Sequence, residues 1–449
     1  MEFRRRPLES AGAFCCWSAA GSMPASALTP PGEPSRAADS GPTAFRGRAL
    51  KFAAVAGVYA ACAMLSRELT ENPALEASFW LPSGLMLGLL LTEARRDWAL
   101  LVAAMFAGDC FYNATGATWP WADWFFVTVG NAATAVAGAL LVQRWVARKT
   151  ALESVRELIG LMIAAALSLV ITSTIGAWTI QSLAGAGSFG AIWTSWFFSD
   201  LLGVVLVTPL ILVWSGARGE PRAPLSSVRR FEAIALVSGV CVCCSLAISL
   251  DWLQNPASRY VVVPFVVWAA IRFGPRGVTV VSLVLALLAG WFALHGHGLD
   301  HSNSATAHER NVELQLGLSL VAFFGLIPAI TIAALRRQER ELVEQRNFHR
   351  AIFDHGPEGM LVLGPAGELL QINRAALAFL EAETLAEAGA AGWRDAVLPE
   401  ARAGFAALLQ QVLAGGRDSA LLPVRGRRGG VRWLDLHATP PAASPGCSA

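Results

Sequence analysis

The chain has 449 residues, 54% of them hydrophobic and only 15% charged, with a mean hydropathy of +0.48. A soluble protein carries about 25% charged residues, and a bigger core cannot absorb the deficit because the surface grows with the chain. The surplus apolar surface faces lipid, which argues against a soluble enzyme, a secreted disulfide scaffold or a disordered regulator. The net charge of +2 points to no nucleic-acid partner.

Residues 1–49 are rich in Ser, Pro, Ala and Gly and read as a disordered cytoplasmic tail. They lack the apolar core and cleavage site of a secretory signal, despite Arg4, Arg5 and Arg6. The eight cysteines suggest no metal or redox centre. Cys15 and Cys16 lie in the tail, and Cys241, Cys243 and Cys244 lie in an apolar run where free cysteine acts as a small hydrophobe.

From 50 to 335 apolar runs alternate with short polar breaks, the pattern of a polytopic α-helical membrane domain of about eight to ten spans. Ten segments stand out, near 50–66, 78–93, 98–112, 122–146, 158–182, 190–214, 231–252, 258–273, 277–294 and 313–335. With the N-terminus inside, twelve basic residues flank the inner loops and three the outer ones. Ten spans with both ends cytoplasmic explain that asymmetry.

Residues 336–353 form a charged linker helix, and Leu335 just before it makes an imperfect heptad-like stripe with Leu342, Phe348 and Ile352. That stripe reads either as a solvated helix or as a dimeric coiled coil carrying a signal. From 354 to 440 the alternation changes to that of a small α/β domain. A hairpin spans 360–373, helices follow at 374–390 and 400–414, and strands at 419–424 and 431–438 are joined by the turn RGRRGG. That turn joins strands and opens no helix, so it lacks the setting of a phosphate loop. Residues 441–449 carry no pattern.

Two stretches resemble known families. FWLPSGLMLGLLL (79–91), GNAATAVAGALLVQRW (130–145), WFFSDLLGVVLVTPLILVW (196–214) and VPFVVWAAIRFGPRG (263–277) resemble, in order, the first class of MASE domains, membrane-associated sensors of bacterial signalling proteins. FHRAIFDHGPEGMLVLGPAGELLQINRAALAFLE (348–381) and VRWLDLHATP (431–440) resemble a PAS fold, with Asn373 opening a helix. The fifth PAS strand is not recognisable, so an incomplete domain with an open sheet edge is expected.

The resemblance implies an inner-membrane sensory protein that relays a stimulus through the linker to the PAS domain, as a homodimer. Its output would be a missing or separate histidine kinase or cyclic-di-GMP enzyme. The chain shows no phosphoacceptor-histidine box and no GGDEF- or EAL-like motif, so it carries no catalytic residue of its own, and no cofactor is assigned. A secondary transporter or a freestanding membrane regulator stays open as an alternative.

Charged groups inside lipid cost about 2.5–3.5 kcal/mol at a helix centre and need a reason. Asp200, mid-span in FFSDLLG, reads either as a ligand contact or protonation switch, or as a hydrogen bond that fixes packing. Related domains tend to carry an acid at this place, which adds weight to the first reading. Asp109 reads either as facing the outer water layer or as a sensing residue, and Asn131 either as part of a Gly/Ala-rich packing face or as a sensing residue.

Trp80, Pro82 and Gly84 form a turn or kink at the outer start of the second span, in which Trp80 and Pro82 read either as an interfacial anchor or as sensing residues. Arg272, Gly274, Pro275, Arg276 and Gly277 form an inner turn, either a topology marker or a coupling element. His295, His297, His301 and His308, with Asp300 and Glu309, form an outer-loop cluster that reads as a solvated loop or as a metal or pH sensor.

Overall fold

The computed structural model describes residues 13–18, 42–70, 78–116, 121–146, 151–184, 188–216, 226–249, 261–295, 307–364, 368–389 and 393–440. The chain divides into two compact units, one of 35–338 and one made of 1–34 with 339–449.

The first unit is a helical bundle: α1 (Pro42–Glu68), α2 (Leu81–Thr92), α3 (Trp98–Gly116), α4 (Trp121–Trp145), α5 (Val155–Thr179), α6 (Phe189–Ser215), α7 (Ser227–Ser249), α8 (Val263–Leu294) and the membrane part of α9 (Ala307–His355). Helix is found at each of the ten predicted segments, because α8 breaks at Gly274 (φ 64°, ψ −152°) into two pieces. A positive φ costs glycine nothing, and Pro275 starts the second piece with its φ already set.

Six helices among the described residues are long and apolar enough to cross a membrane: Phe45–Glu68, Trp124–Trp145, Val155–Ser182, Phe189–Ser215, Val263–Leu294 and His308–His355. The burial pattern shows why lipid is their solvent. On α5, Ile159, Ile163, Leu167 and Val170 form an exposed stripe, while Leu158, Leu161, Ala165 and Leu169 are buried on the other side. Both faces are apolar, so only a bilayer can solvate the outer one. The chain is a polytopic helical membrane domain followed by a small α/β domain.

Helix α2 departs from an ordinary span. Its 12 residues rise about 18 Å, too short for a hydrocarbon core of about 30 Å. It begins inside the bundle: the Trp80 N–H donates to the Ser199 carbonyl (3.1 Å) near the middle of α6. Irregular backbone at this depth is tolerated because it is buried in protein. The approach is so close that a Cβ on Gly203 would overlap the Trp80 carbonyl oxygen, and one on Gly84 would overlap that of Gly203. The backbone of Trp80 is thus held within the bundle, while its side chain is half-buried.

In the second unit, β2 (Gly359–Leu363) and β3 (Leu369–Ile372) form the predicted hairpin. Helices α10 (Arg374–Leu380), α11 (Leu385–Gly389) and α12 (Arg402–Leu413) pack on the sheet, followed by β4 (Asp418–Arg425) and β5 (Val431–Thr439). Asn373 is fully buried and ties the unit together. Its Oδ1 accepts from the Met360 and Ala376 N–H groups (2.9 and 2.8 Å), and its Nδ2 donates to the Glu358 carbonyl (2.7 Å). It thereby caps α10 and pins the start of β2.

The helix predicted over 374–390 is two helices, divided at Glu381, which is left-handed (φ 54°). The RGRRGG turn wraps that residue: the Glu381 carboxylate accepts from the Arg428 backbone N–H (2.7 Å) and packs close against Gly426, where a Cβ would displace it. The turn is filled by the protein's own carboxylate.

The N-terminal tail also differs from expectation. Residues 13–18 form a strand, β1 (Ala13–Ser18), between β2 and β5, giving the sheet order β3-β2-β1-β5-β4. The position expected to be an open edge is occupied, since unpaired backbone groups on β2 and β5 favour any extended segment that can reach them.

Candidate functional site: a polar core in the helical bundle

Asp200 is 3% exposed, and its Oδ1 accepts from Ser83 Oγ on α2 at 2.5 Å. Ser83 lies in the first turn of α2, whose buried N-terminus leaves orphan donors to satisfy. The Leu81 N–H finds Ser66 Oγ of α1 (3.2 Å), and Pro82 has no N–H to satisfy. The positive end of the α2 dipole faces the acid, a stabilising arrangement for a carboxyl group. Farther along, Thr208 Oγ1 of α6 donates to the Gly84 carbonyl (2.9 Å).

Asp109 does not face outer water. It is 2% exposed and accepts from Tyr59 Oη (3.3 Å), from Thr128 Oγ1 and from Asn113 Nδ2 (3.4 Å). Three helices, α1, α3 and α4, thus converge on one carboxyl group. Close approach of α1 and α3 at Gly108, where a Cβ would lie 2.6 Å from the Ala56 carbonyl oxygen, brings Tyr59 within reach.

Asn131 on α4 accepts from Thr172 Oγ1 of α5 (2.8 Å), and the Thr172 N–H donates to Thr134 Oγ1 (3.1 Å). These groups surround a cavity of about 10 Å³, room for one water molecule, lined in part by Tyr59, Pro82, Ser83, Asn131, Thr134 and Ser168. Tyr59 holds Asp109 from one part of its lining and Ser83 holds Asp200 from another. The three predicted residues Asp109, Asn131 and Asp200 therefore belong to one polar core. None of the described lining residues is cationic.

The partners Tyr59, Ser66, Ser83, Asn113, Thr128, Thr134, Thr172 and Thr208 were not singled out in the sequence. Their only signal is a hydroxyl or amide within an apolar run. Toward the end of α1, Trp80 stands edge-on to Tyr112 (5.7 Å between centroids), and the Arg67 guanidinium lies 5.4 Å from the same ring.

The Gly274 turn is bonded to three other elements. Arg272 forms a two-pronged pair with Glu232 of α7 (Nε–Oε2 3.1 Å, Nη2–Oε1 2.5 Å), and Arg276 lies over Trp214 near the end of α6 (5.9 Å). Arg336 of α9 donates to the Ile271 carbonyl (3.0 Å). Next to it, Arg337 pairs with Glu153 in the segment before α5 (2.6 Å). The turn thus grips α9 at the point where that helix leaves the apolar bundle, a contact the sequence did not announce.

The histidine cluster is not assembled among the described residues. His295 closes α8 and bonds the Trp291 carbonyl through Nδ1 (2.8 Å), and His308 lies on α9 within 3.4 Å of Thr194 Oγ1. His297, His301 and Asp300 lie outside the described residues. No group of three or more potential metal ligands occurs among the described residues.

Residues 50–339 match the MASE1 family model, and residues 353–449 match the model of the PAS fold. No curated protein and no solved structure gives a match. The ordered membrane motifs, the bundle they form and a family match over most of the chain agree: this chain belongs to the MASE1 family of membrane sensor domains, joined here to a PAS fold.

Proposed function

We propose that this chain senses a stimulus through the polar core of its bundle and relays it along α9 to the PAS unit, in the inner membrane of a bacterium with both ends cytoplasmic. One observation carries the reading: α9 is unbroken for 49 residues, about 74 Å of helix, from within the bundle to the first strand of the hairpin. The grip of Arg336 and Arg337 gives the bundle a handle on that helix. A change in core packing that favours one arrangement over another shifts the population of α9 positions. The excess of basic residues flanking the inner loops supports the orientation.

Leu335, Leu342, Phe348 and Ile352 are all more than half exposed on α9. They support a homodimer in which the α9 helices of two copies pair. The output is a histidine kinase or a cyclic-di-GMP enzyme, supplied by a further domain or a separate protein. Cross-linking at Leu342→Cys in native membranes tests the relay. Dimer cross-links whose yield changes with Asp200→Asn support it; the absence of such links, or a yield indifferent to the core, contradicts it.

The half-length α2, whose N-terminus meets a buried acid, gives a second reading some support, because broken helices at the mid-membrane serve ion-coupled transporters. Solute uptake into proteoliposomes that disappears in Asp200→Asn favours transport. A freestanding regulator is distinguished by co-purification with a full-length receptor.

A further inference from the structure

Within the sheet, β1 alone joins the β2–β3 hairpin to the β4–β5 hairpin. It runs antiparallel to both neighbours, with Cys15 opposite Leu361 on one side and Ala438 on the other, and Cys16 opposite Met360 and His437. Without an occupant there, the two hairpins are separate two-stranded pieces, each marginal in water. Their inner strands then carry unpaired backbone groups next to Leu361, Leu363, Leu436 and Ala438, all of which are buried.

We propose that the slot between β2 and β5 is a strand-acceptor site whose occupant is residues 13–18 of the same chain. Recognition is by main-chain pairing, the mode by which sheets accept an extended segment. The site then ties the PAS unit to the bundle twice, once through α9 and once through the tail that leads to α1. The 23 residues from 19 to 41 reach at most about 80 Å when extended. This goes beyond the relay through α9, because the sheet is completed by a segment from the opposite end of the chain.

Disulfide trapping in the full chain tests it. The other native cysteines are replaced and Cys16 is retained with His437→Cys, its register partner. Facing residues of antiparallel strands have Cα atoms about 4.5–5.5 Å apart, within the range a disulfide spans. A second chain carries Trp433→Cys, four residues out of register. Mixing isotopically labelled and unlabelled protein separates links within a chain from links between chains. The expected result is a disulfide from Cys16 to position 437 within single chains and none to position 433. No link, equal linking at both positions, or links only between chains overturns the proposal. Proteolysis gives a second readout, with deletion of residues 1–20 expected to speed cleavage within 354–440; an unchanged rate also overturns it.

Discussion

Ser83 Oγ donates to Asp200 Oδ1 at 2.5 Å, joining the first turn of a half-length helix to the middle of a full-length one. The bond sets the depth at which α2 begins. Ser83→Ala leaves a buried carboxyl group without its donor. The expected loss is about 1 kcal/mol, within the measured range for interhelical hydrogen bonds in membranes. Asp200→Asn keeps an acceptor for Ser83 and is expected to lose less. Unfolding of the purified protein in mixed micelles measures both.

Gly203→Ala and Gly84→Ala are expected to disrupt the bundle, because each new Cβ meets backbone that no rotamer change can move aside. Overpacking of this kind costs about 1–3 kcal/mol or more. Gly57→Ala on α1, with nothing within 4 Å, is the control. Removing a mid-helix glycine there should stabilise by up to about 1 kcal/mol. Thermal midpoints of the three variants provide the comparison.

Much of this arrangement is legible in the sequence. Apolar length locates the ten helical segments, and Pro and Gly mark the break in α8. The resemblance to a PAS fold announces Asn373 at the start of α10. Asp200 and Asn131 stand out because polar groups in lipid need partners. The partners themselves are hidden, since a Ser or Thr in an apolar run costs little and looks the same whether it bonds its own helix or another. Asp109 is misplaced by sequence alone because its segment is near the outer end of a helix, while its burial comes from Tyr59 and Thr128 on two other helices. Residues 13–18 take on the character of their Pro/Ser-rich surroundings, although AFCCWS is itself an apolar run. Pairing with strands more than 300 residues away leaves no local trace.

Asn373→Ala removes a cap and two long-range bonds together. The expected destabilisation of the PAS unit is about 2–4 kcal/mol, from the loss of a cap and a buried donor left unmatched. Asn373→Asp keeps both accepted bonds and loses the donation to Glu358, so a smaller effect is expected. Limited proteolysis of the full chain, followed by mass spectrometry of fragments from 354–440, ranks the variants.

Arg272→Glu is expected to weaken the grip on α7 by setting two acids against each other, and Glu232→Arg in the same chain to restore it. Restoration by the exchanged pair identifies an ion pair rather than packing alone. Hydrogen exchange in the 263–280 and 330–340 segments reports the result. Faster exchange is expected in the single variant, with return to the native rate in the double.

The relay itself is tested most directly by spin labels at Ala151→Cys and Gln345→Cys in a cysteine-free chain reconstituted in lipid. Distance distributions are compared between this background, Asp200→Asn and Ser83→Ala. If the polar core sets the position of α9, the two core variants shift the populations between the labels. Distributions identical in all three proteins, with the bundle shown to be folded, would contradict the coupling of core to helix.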